Sequence, residues 1–193
     1  MQRAQLIDPA DSVLIVIDVQ DLFLDKLAPD ARQPLLDHLR WLIGTARWLG
    51  IPVVATAEDI PALGGVTPAI ADLLPPGTTV HNKLVFGLAA DPAILAAIEA
   101  TERRTAILVG LETDVCVTHS ALGLAERGFR VAVVADATGS PGPAHAAGLD
   151  RLRDAGITLL STKGLYYEWL RTVERANRCR AECTGALGVP SGW

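Results

Sequence analysis

No apolar run in this 193-residue chain approaches the length of a membrane span. Crossing a bilayer takes about 20 consecutive apolar residues, and runs here such as Val13 to Ile17 and Ile107 to Val109 are strand-sized. No basic stretch leads into an apolar segment at the start, so a secretory signal is not expected. Cysteines are few and odd in number. Three of them do not suggest a disulfide framework, and they point to a reducing, cytoplasmic setting. Basic charge is short as well: 17 Lys and Arg against 22 Asp and Glu give a formal charge of −5, with no block of one sign. A phosphate-backbone partner needs a basic patch, so nucleic acid is not an expected partner. His38, His81, His119 and His145 lack metal-ligand spacing relative to one another or to the cysteines, so neither a metal nor any other cofactor is expected. Repeats and low-complexity linkers are also missing. The expectation is one domain over residues 1–193, with a core at about 13–178 and an irregular tail over 179–193.

What the chain has is apolar surface, 50% of its residues, arranged in alternating short and long segments. Val13 to Ile17 is apolar at every position, the mark of a strand buried on both faces. Pro52 to Ala57, Thr78 to Lys83, Thr105 to Val109, Phe129 to Ala135 and Ile157 to Ser161 read as five further strands. Between them lie helical stretches. Arg32 to Leu49 carries a stripe of Leu35, Leu36, Leu39, Leu42, Ile43 and Ala46 that ends at Gly50. Pro68 to Leu74, Pro92 to about Glu102, Thr113 or Asp114 to Arg127, Ala144 to Ala155, and about Leu165 to Arg178 complete the set. Strands joined by helical crossovers predict a three-layer, doubly wound α/β fold with a six-stranded parallel sheet in the order 3-2-1-4-5-6. Ligands in such sheets bind beyond the carboxyl ends of the strands, where the order reverses.

Three chemically able side chains fall at such ends. Asp18 follows the first strand in VLIVIDVQ, Lys83 ends the third in TVHNKLVFG, and Cys116 lies just beyond the fourth in ILVGLETDVCVTHSA. Singly, each has a plain reading: Asp18 as a turn residue, Lys83 as a solvated lysine, Cys116 as a small buried apolar side chain. Together they fit a thiol nucleophile with a general acid–base and a cationic helper. A helix start and a nearby ammonium both favour thiolate, which predicts a lowered thiol pKa. Backbone N–H groups in the turn before Cys116 would face a developing oxyanion.

The IDVQ, KLVF and GLETDVCV segments, with a helix ending in GF and a VVADAT strand after them, resemble the isochorismatase-like cysteine hydrolases from about Val13 to Leu170. The resemblance implies the six-stranded parallel sheet, an Asp18–Lys83–Cys116 triad, and homo-oligomers, dimeric or larger. It also implies a non-proline cis peptide at Leu111–Glu112, which would help aim the backbone of Leu111, Glu112 and Cys116 at the oxyanion. Nicotinamidase-like members hold a metal through histidines after the second strand; ATAEDIPALGG offers Glu58 and Asp59 but no histidine. Members that open the isochorismate vinyl ether often lack the cysteine kept here. Many members carry a second aromatic three residues after the one in KLVF, where this chain has Ala89.

These features predict a metal-independent cysteine hydrolase cleaving a small amide or related C–N bond through a thioester. The alternatives are a non-catalytic ligand-binding or scaffold member, a vinyl-ether hydrolase, and a redox sensor using Cys116. Phe23, Glu58, Phe86 and Glu112 are candidates for the pocket lining, with Glu112 placed to recognise a basic or amide group on a small-molecule substrate. Cys179 and Cys183 read as incidental, and GSPGP (139–143) as a turn rather than a phosphate loop. Gly188, Val189, Pro190 and Trp193 suggest a subunit contact at the tail.

Overall fold

β1 (Ser12–Ile17) is buried at every position, because it lies in the middle of a sheet with helices on both sides. The computed structural model describes residues 5–183, 187–188 and 190. The other strands are β2 (Val53–Glu58), β3 (Val80–Lys83), β4 (Thr105–Leu111), β5 (Arg130–Gly139) and β6 (Thr158–Leu160). They form one six-stranded sheet in the order β3-β2-β1-β4-β5-β6, with every pairing parallel. Fold class and strand order are those expected from the sequence.

The helices are α1 (Asp21–Leu24), α2 (Pro29–Leu49), α3 (Ile60–Leu63), α4 (Pro68–Ala71), α5 (Pro92–Glu99), α6 (Thr118–Glu126), α7 (Ala144–Asp154), α8 (Thr162–Leu170) and α9 (Val173–Glu182). Side chains alternate across a strand, so β1 feeds two cores. Leu14 and Val16 join Leu35, Leu39 and Ile43 of α2 and Trp169 of α8. Val13, Ile15 and Ile17 join Ile94 and Ile98 of α5 and Ala121 and Leu124 of α6. β4 does the same, with Ile107 and Val109 on the first side and Ala106 and Leu108 on the second. Each fully buried Val, Leu or Ile among them contributes about 1.5–3 kcal/mol. The two cores make the three layers.

Two differences from the sequence reading concern the carboxyl-terminal third. The helix expected over 165–178 is two helices, α8 and α9, broken at Arg171 (φ 66°) and restarted by Thr172, whose side chain accepts from the Arg175 N–H. The tail expected from 179 onward is helical to Glu182, since Cys179 packs with Trp41, Tyr166, Leu170 and Ala176 in a third cluster. Cys179 is therefore a buried packing residue. Of the residues suggested for a tail contact, Val189 and Trp193 lie outside the described residues.

One glycine fixes how the strand ends meet. Gly110 of β4 has φ 115°, and a Cβ there would stand 2.0 Å from the Ile17 carbonyl oxygen. Gly110 lies opposite Ile17 in the β1–β4 ladder, and the β4–β5 register shifts at this point. The end of β4 thus approaches β1 closely just before the segment that carries Cys116. Among the described residues no helix is long and apolar enough to cross a membrane.

Candidate active site

Asp18 leaves β1 in the left-handed region (φ 48°), where Asp is tolerated better than most residues. Its N–H donates to the Thr56 carbonyl (3.1 Å), and its Oδ1 accepts from Thr56 Oγ1 (2.8 Å). Asp18 is fully buried. Lys83 closes β3, opposite Glu58 in the β2–β3 ladder, and is fully buried too. Its Nζ donates to the Val85 carbonyl (2.8 Å) and lies 2.9 Å from Asp18 Oδ2, 3.5 Å from Cys116 Sγ and 3.5 Å from Glu58 Oε2. Among the described residues Asp18 Oδ2 receives no directed hydrogen bond despite that ion pair. One of its lone pairs is therefore open to a proton.

Cys116 sits in a π-helical turn over Thr113–Val117 that runs straight into α6. Side chains tie the turn down. Thr118 Oγ1 donates to the Thr113 carbonyl (2.6 Å), Ser120 Oγ donates to the Cys116 carbonyl (2.6 Å), and Ser140 Oγ donates to Asp114 Oδ1 (2.6 Å). From outside, α7 presses on it: a Cβ on Gly148 would stand 2.8 Å from both the Cα and N of Asp114. The Leu111–Glu112 peptide just before the turn is cis.

The electrostatics correct one expectation. The Cys116 thiol is not lowered but pushed up to about 12, by burial first and then by the charge of Asp18, with Glu58 adding to it; Lys83 opposes but does not prevail. A thiolate would stand among two carboxylates and one ammonium, so the resting sulfur carries its proton. The Asp18 carboxyl is also raised, because burial outweighs the attraction of Lys83 and its hydrogen bonds. For Lys83 burial pulls the other way, yet the neighbouring Asp18, with Cys116 and Glu58, holds its ammonium above the ordinary lysine value.

A cavity of about 190 Å³ opens over these groups, lined by Glu58, Asp59, Lys83, Leu84, Val85 and Phe86. Cys116, 4% exposed, lies behind that lining, with Sγ 3.5 Å from Glu58 Oε2. Three larger cavities of about 480, 400 and 350 Å³ occur elsewhere among the described residues, and none of Asp18, Lys83 and Cys116 lines any of them. Chemistry, not size, picks out the smaller one.

Of the pocket candidates, Glu58 and Phe86 line this cavity, and Phe86 is half exposed at its rim with His119 edge-on at 6.0 Å. Phe23 instead packs in the first core with Lys26 Nζ over its ring at 4.6 Å. Glu112 is spoken for by Lys26, 3.3 Å away, rather than open to a substrate cation. Sequence reasoning passed over Gln20 and Thr56. The fully buried Gln20 side chain donates to the Glu58 and Gly64 carbonyls (2.8 Å each) and accepts from the Glu58 N–H (2.7 Å), fixing the backbone of Glu58. The signal was a glutamine three residues past the strand end in IDVQ. His145 donates to or accepts from Thr113 Oγ1 (2.8 Å), and burial lowers its pKa.

Asp18, Glu58 and Cys116 present ligand atoms within 4.8 Å of one another, the spacing of a metal site. The Lys83 ammonium already stands within 3.5 Å of all three. It is the cation of the cluster, and a dication added there would be pressed against it.

Comparison with known proteins places this arrangement. The Isochorismatase domain family model matches residues 12–164. Isochorismatase domain-containing protein 2 of Bos taurus is 30% identical over 162 residues, covering 83% of this chain and 76% of its own length. The MAR1 ribonuclease structure from Caenorhabditis elegans superposes with a TM-score of 0.85 at 26% identity, covering 97% of this chain and 94% of that one. The YcaC gene product of Escherichia coli, an octameric hydrolase of unknown specificity, does so at 0.87 and 22% identity over 98% and 94%. The matched segment runs from β1 through the Cys116 turn into α8, and so takes in every residue of the charged cluster: this chain belongs to the isochorismatase family, on its hydrolase fold.

Proposed function

We propose that this chain is a metal-independent cysteine hydrolase that cleaves a small amide or related C–N bond through a thioester, with Cys116 as nucleophile. The observation that carries the reading is the meeting of one thiol, one ammonium and one carboxylate at the ends of β4, β3 and β1: Lys83 Nζ is 3.5 Å from the sulfur and 2.9 Å from Asp18. Sulfur attacks the carbonyl carbon while its proton passes to Asp18, whose raised pKa suits it to take that proton. The C–N bond then breaks as Asp18 returns the proton to the departing nitrogen. Water attacks the thioester, its proton goes to Asp18, the C–S bond breaks, and the sulfur regains a proton as the acid leaves. Lys83 holds Asp18 in place and steadies negative charge on sulfur and oxygen during both attacks. Backbone N–H groups of the Leu111–Cys116 segment meet the oxyanion.

The high thiol pKa fits this scheme, since the proton leaves only as the C–S bond forms, and no exposed thiolate waits for oxidants. The same observation weakens the sensor reading. Cys179 is packed against Trp41 and Tyr166, and Cys183 donates to the Gly44 carbonyl (3.1 Å), so neither thiol stands with the Cys116 cluster. We further propose a homo-oligomer, dimeric or larger, as the octameric YcaC relative suggests; light scattering on the eluting protein reads the mass directly.

The test is a panel of small amides incubated with the protein and with Cys116→Ser and Asp18→Asn. The reading expects hydrolysis of at least one amide, a mass adduct on Cys116 in quenched samples, and loss of both in Cys116→Ser. Binding without turnover across the panel would support the scaffold alternative. Turnover that survives Cys116→Ser would favour the vinyl-ether alternative over the thiol mechanism.

A further inference from the structure

We infer that Glu58 sets the substrate class: the site takes neutral or cationic substrates bearing N–H donors next to the scissile bond, and turns away carboxylates. This rests on the cysteine-hydrolase reading above and adds what that hydrolase accepts.

Charge balance is the first ground. Among the described residues Lys83 is the one cation lining the cavity, and Asp18 already holds it at 2.9 Å. Glu58 and Asp59 also line it. Among the described residues no other cation stands within ion-pair distance of Glu58, and none does of Asp59. Lys26 is paired with Glu112 at 3.3 Å, and the His119 ring packs against Phe86 with centroids 6.0 Å apart. The rest of the lining is Leu84, Val85 and Phe86. A ligand entering here meets excess negative charge and apolar walls. A carboxylate or phosphodiester would have to approach two like charges without a spare cation to receive it.

Position is the second ground. Glu58 lies between the cavity and the sulfur, taking the thiol S–H at 3.5 Å and the Lys83 ammonium at 3.5 Å. Its backbone cannot drift, because the buried Gln20 amide grips both its N–H and its carbonyl. Its side chain is 24% exposed and has room to turn toward the cavity. A substrate N–H or cation engages that carboxylate in place of the thiol, which frees the sulfur at the moment the scissile carbonyl arrives. A carboxylate substrate offers Glu58 nothing and leaves the thiol covered.

The experiment uses three reagents with one chemistry and three charges: 2-aminoethyl, methyl and 2-sulfonatoethyl methanethiosulfonate. Their rates at Cys116, located by peptide mass, are divided by their rates with 2-mercaptoethanol. One unit charge near another in a partly screened site changes a rate by about tenfold or more. The wild-type protein should react in the order cation, neutral, anion, with a corrected cation-to-anion ratio above about tenfold. Glu58→Gln, which keeps shape and removes one charge, should cut that ratio about tenfold, and Asp59→Asn should cut it less, since Asp59 does not touch the sulfur. Equal corrected rates for the three reagents in the wild-type protein, or a ratio untouched by Glu58→Gln, overturn the substrate class while leaving Cys116 as nucleophile. No labelling of Cys116 by any reagent overturns both readings.

Discussion

Replacing Lys83 by methionine isolates what the buried ammonium does. Methionine fills much of the same volume but leaves Asp18 and Glu58 facing each other with no cation between them. The lost partner stood 2.9 Å from one carboxylate and 3.5 Å from the other, in a position with no solvent exposure. Removing one side of a buried ion pair costs about 3–5 kcal/mol, a large part of the roughly 5–15 kcal/mol that holds a domain together. With a urea slope of about 2 kcal/mol per molar, the unfolding midpoint should fall by roughly 1.5–2.5 M. The loss should depend on pH in a stated direction. The Asp18 carboxyl is raised by burial even with Lys83 present, and it rises further without it. The native state then holds that proton more tightly than the unfolded chain, so stability is kept at low pH and falls as pH climbs through the raised value. The deficit should be larger at pH 8 than at pH 5. Asp18→Asn combined with Lys83→Met removes both charges and should recover about half of the loss or more. A Lys83→Met midpoint within about 0.5 M of wild type, or a double variant as weak as the two single losses added, would refute the buried-pair reasoning.

Three further outcomes follow from the packing. Gly148→Ala places a methyl group 2.8 Å from the backbone of Asp114; it should cost about 1–3 kcal/mol in urea unfolding and lower turnover more than the thermal midpoint implies, because the displaced segment is the Cys116 turn. Gln20→Ala strips three hydrogen bonds from the backbone around Glu58 and Gly64, and should cost about 1–3 kcal/mol by denaturation while raising KM before kcat. In the wild-type protein, the stabilising share of Lys83 should persist at neutral pH and be lost only as pH rises through a value above the ordinary 10.5, seen as a falling thermal midpoint in strong alkali.

How far the sequence carried depended on the reach of the forces involved. β1 and β4 were legible because burial on both faces makes them almost wholly apolar, and six strand-length segments with helical crossovers leave few topologies open. α1 and α3 escaped notice: four residues are too few to show a helical period. The break between α8 and α9 falls at Arg171 in the left-handed region, a place where sequence offers no glycine or proline to announce it. Asp18, Lys83 and Cys116 could be named from their strand ends, since topology alone puts those ends together. The state of the thiol could not. It turns on burial first and then on the charge of Asp18, to which Glu58 adds from β2; together they outweigh the lysine visible along the chain. Glu112 likewise looked free for a substrate until Lys26, 86 positions away, was found holding it.

The most direct test of the account is the pH dependence of alkylation at Cys116 by iodoacetamide, followed by peptide mass in the wild-type protein, Asp18→Asn and Lys83→Met. The wild-type thiol should titrate at about 12, lower in Asp18→Asn and higher still in Lys83→Met. A single ordinary thiol pKa near 8.5, the same in all three proteins, would contradict the convergence of sulfur, carboxylate and ammonium on which everything here stands.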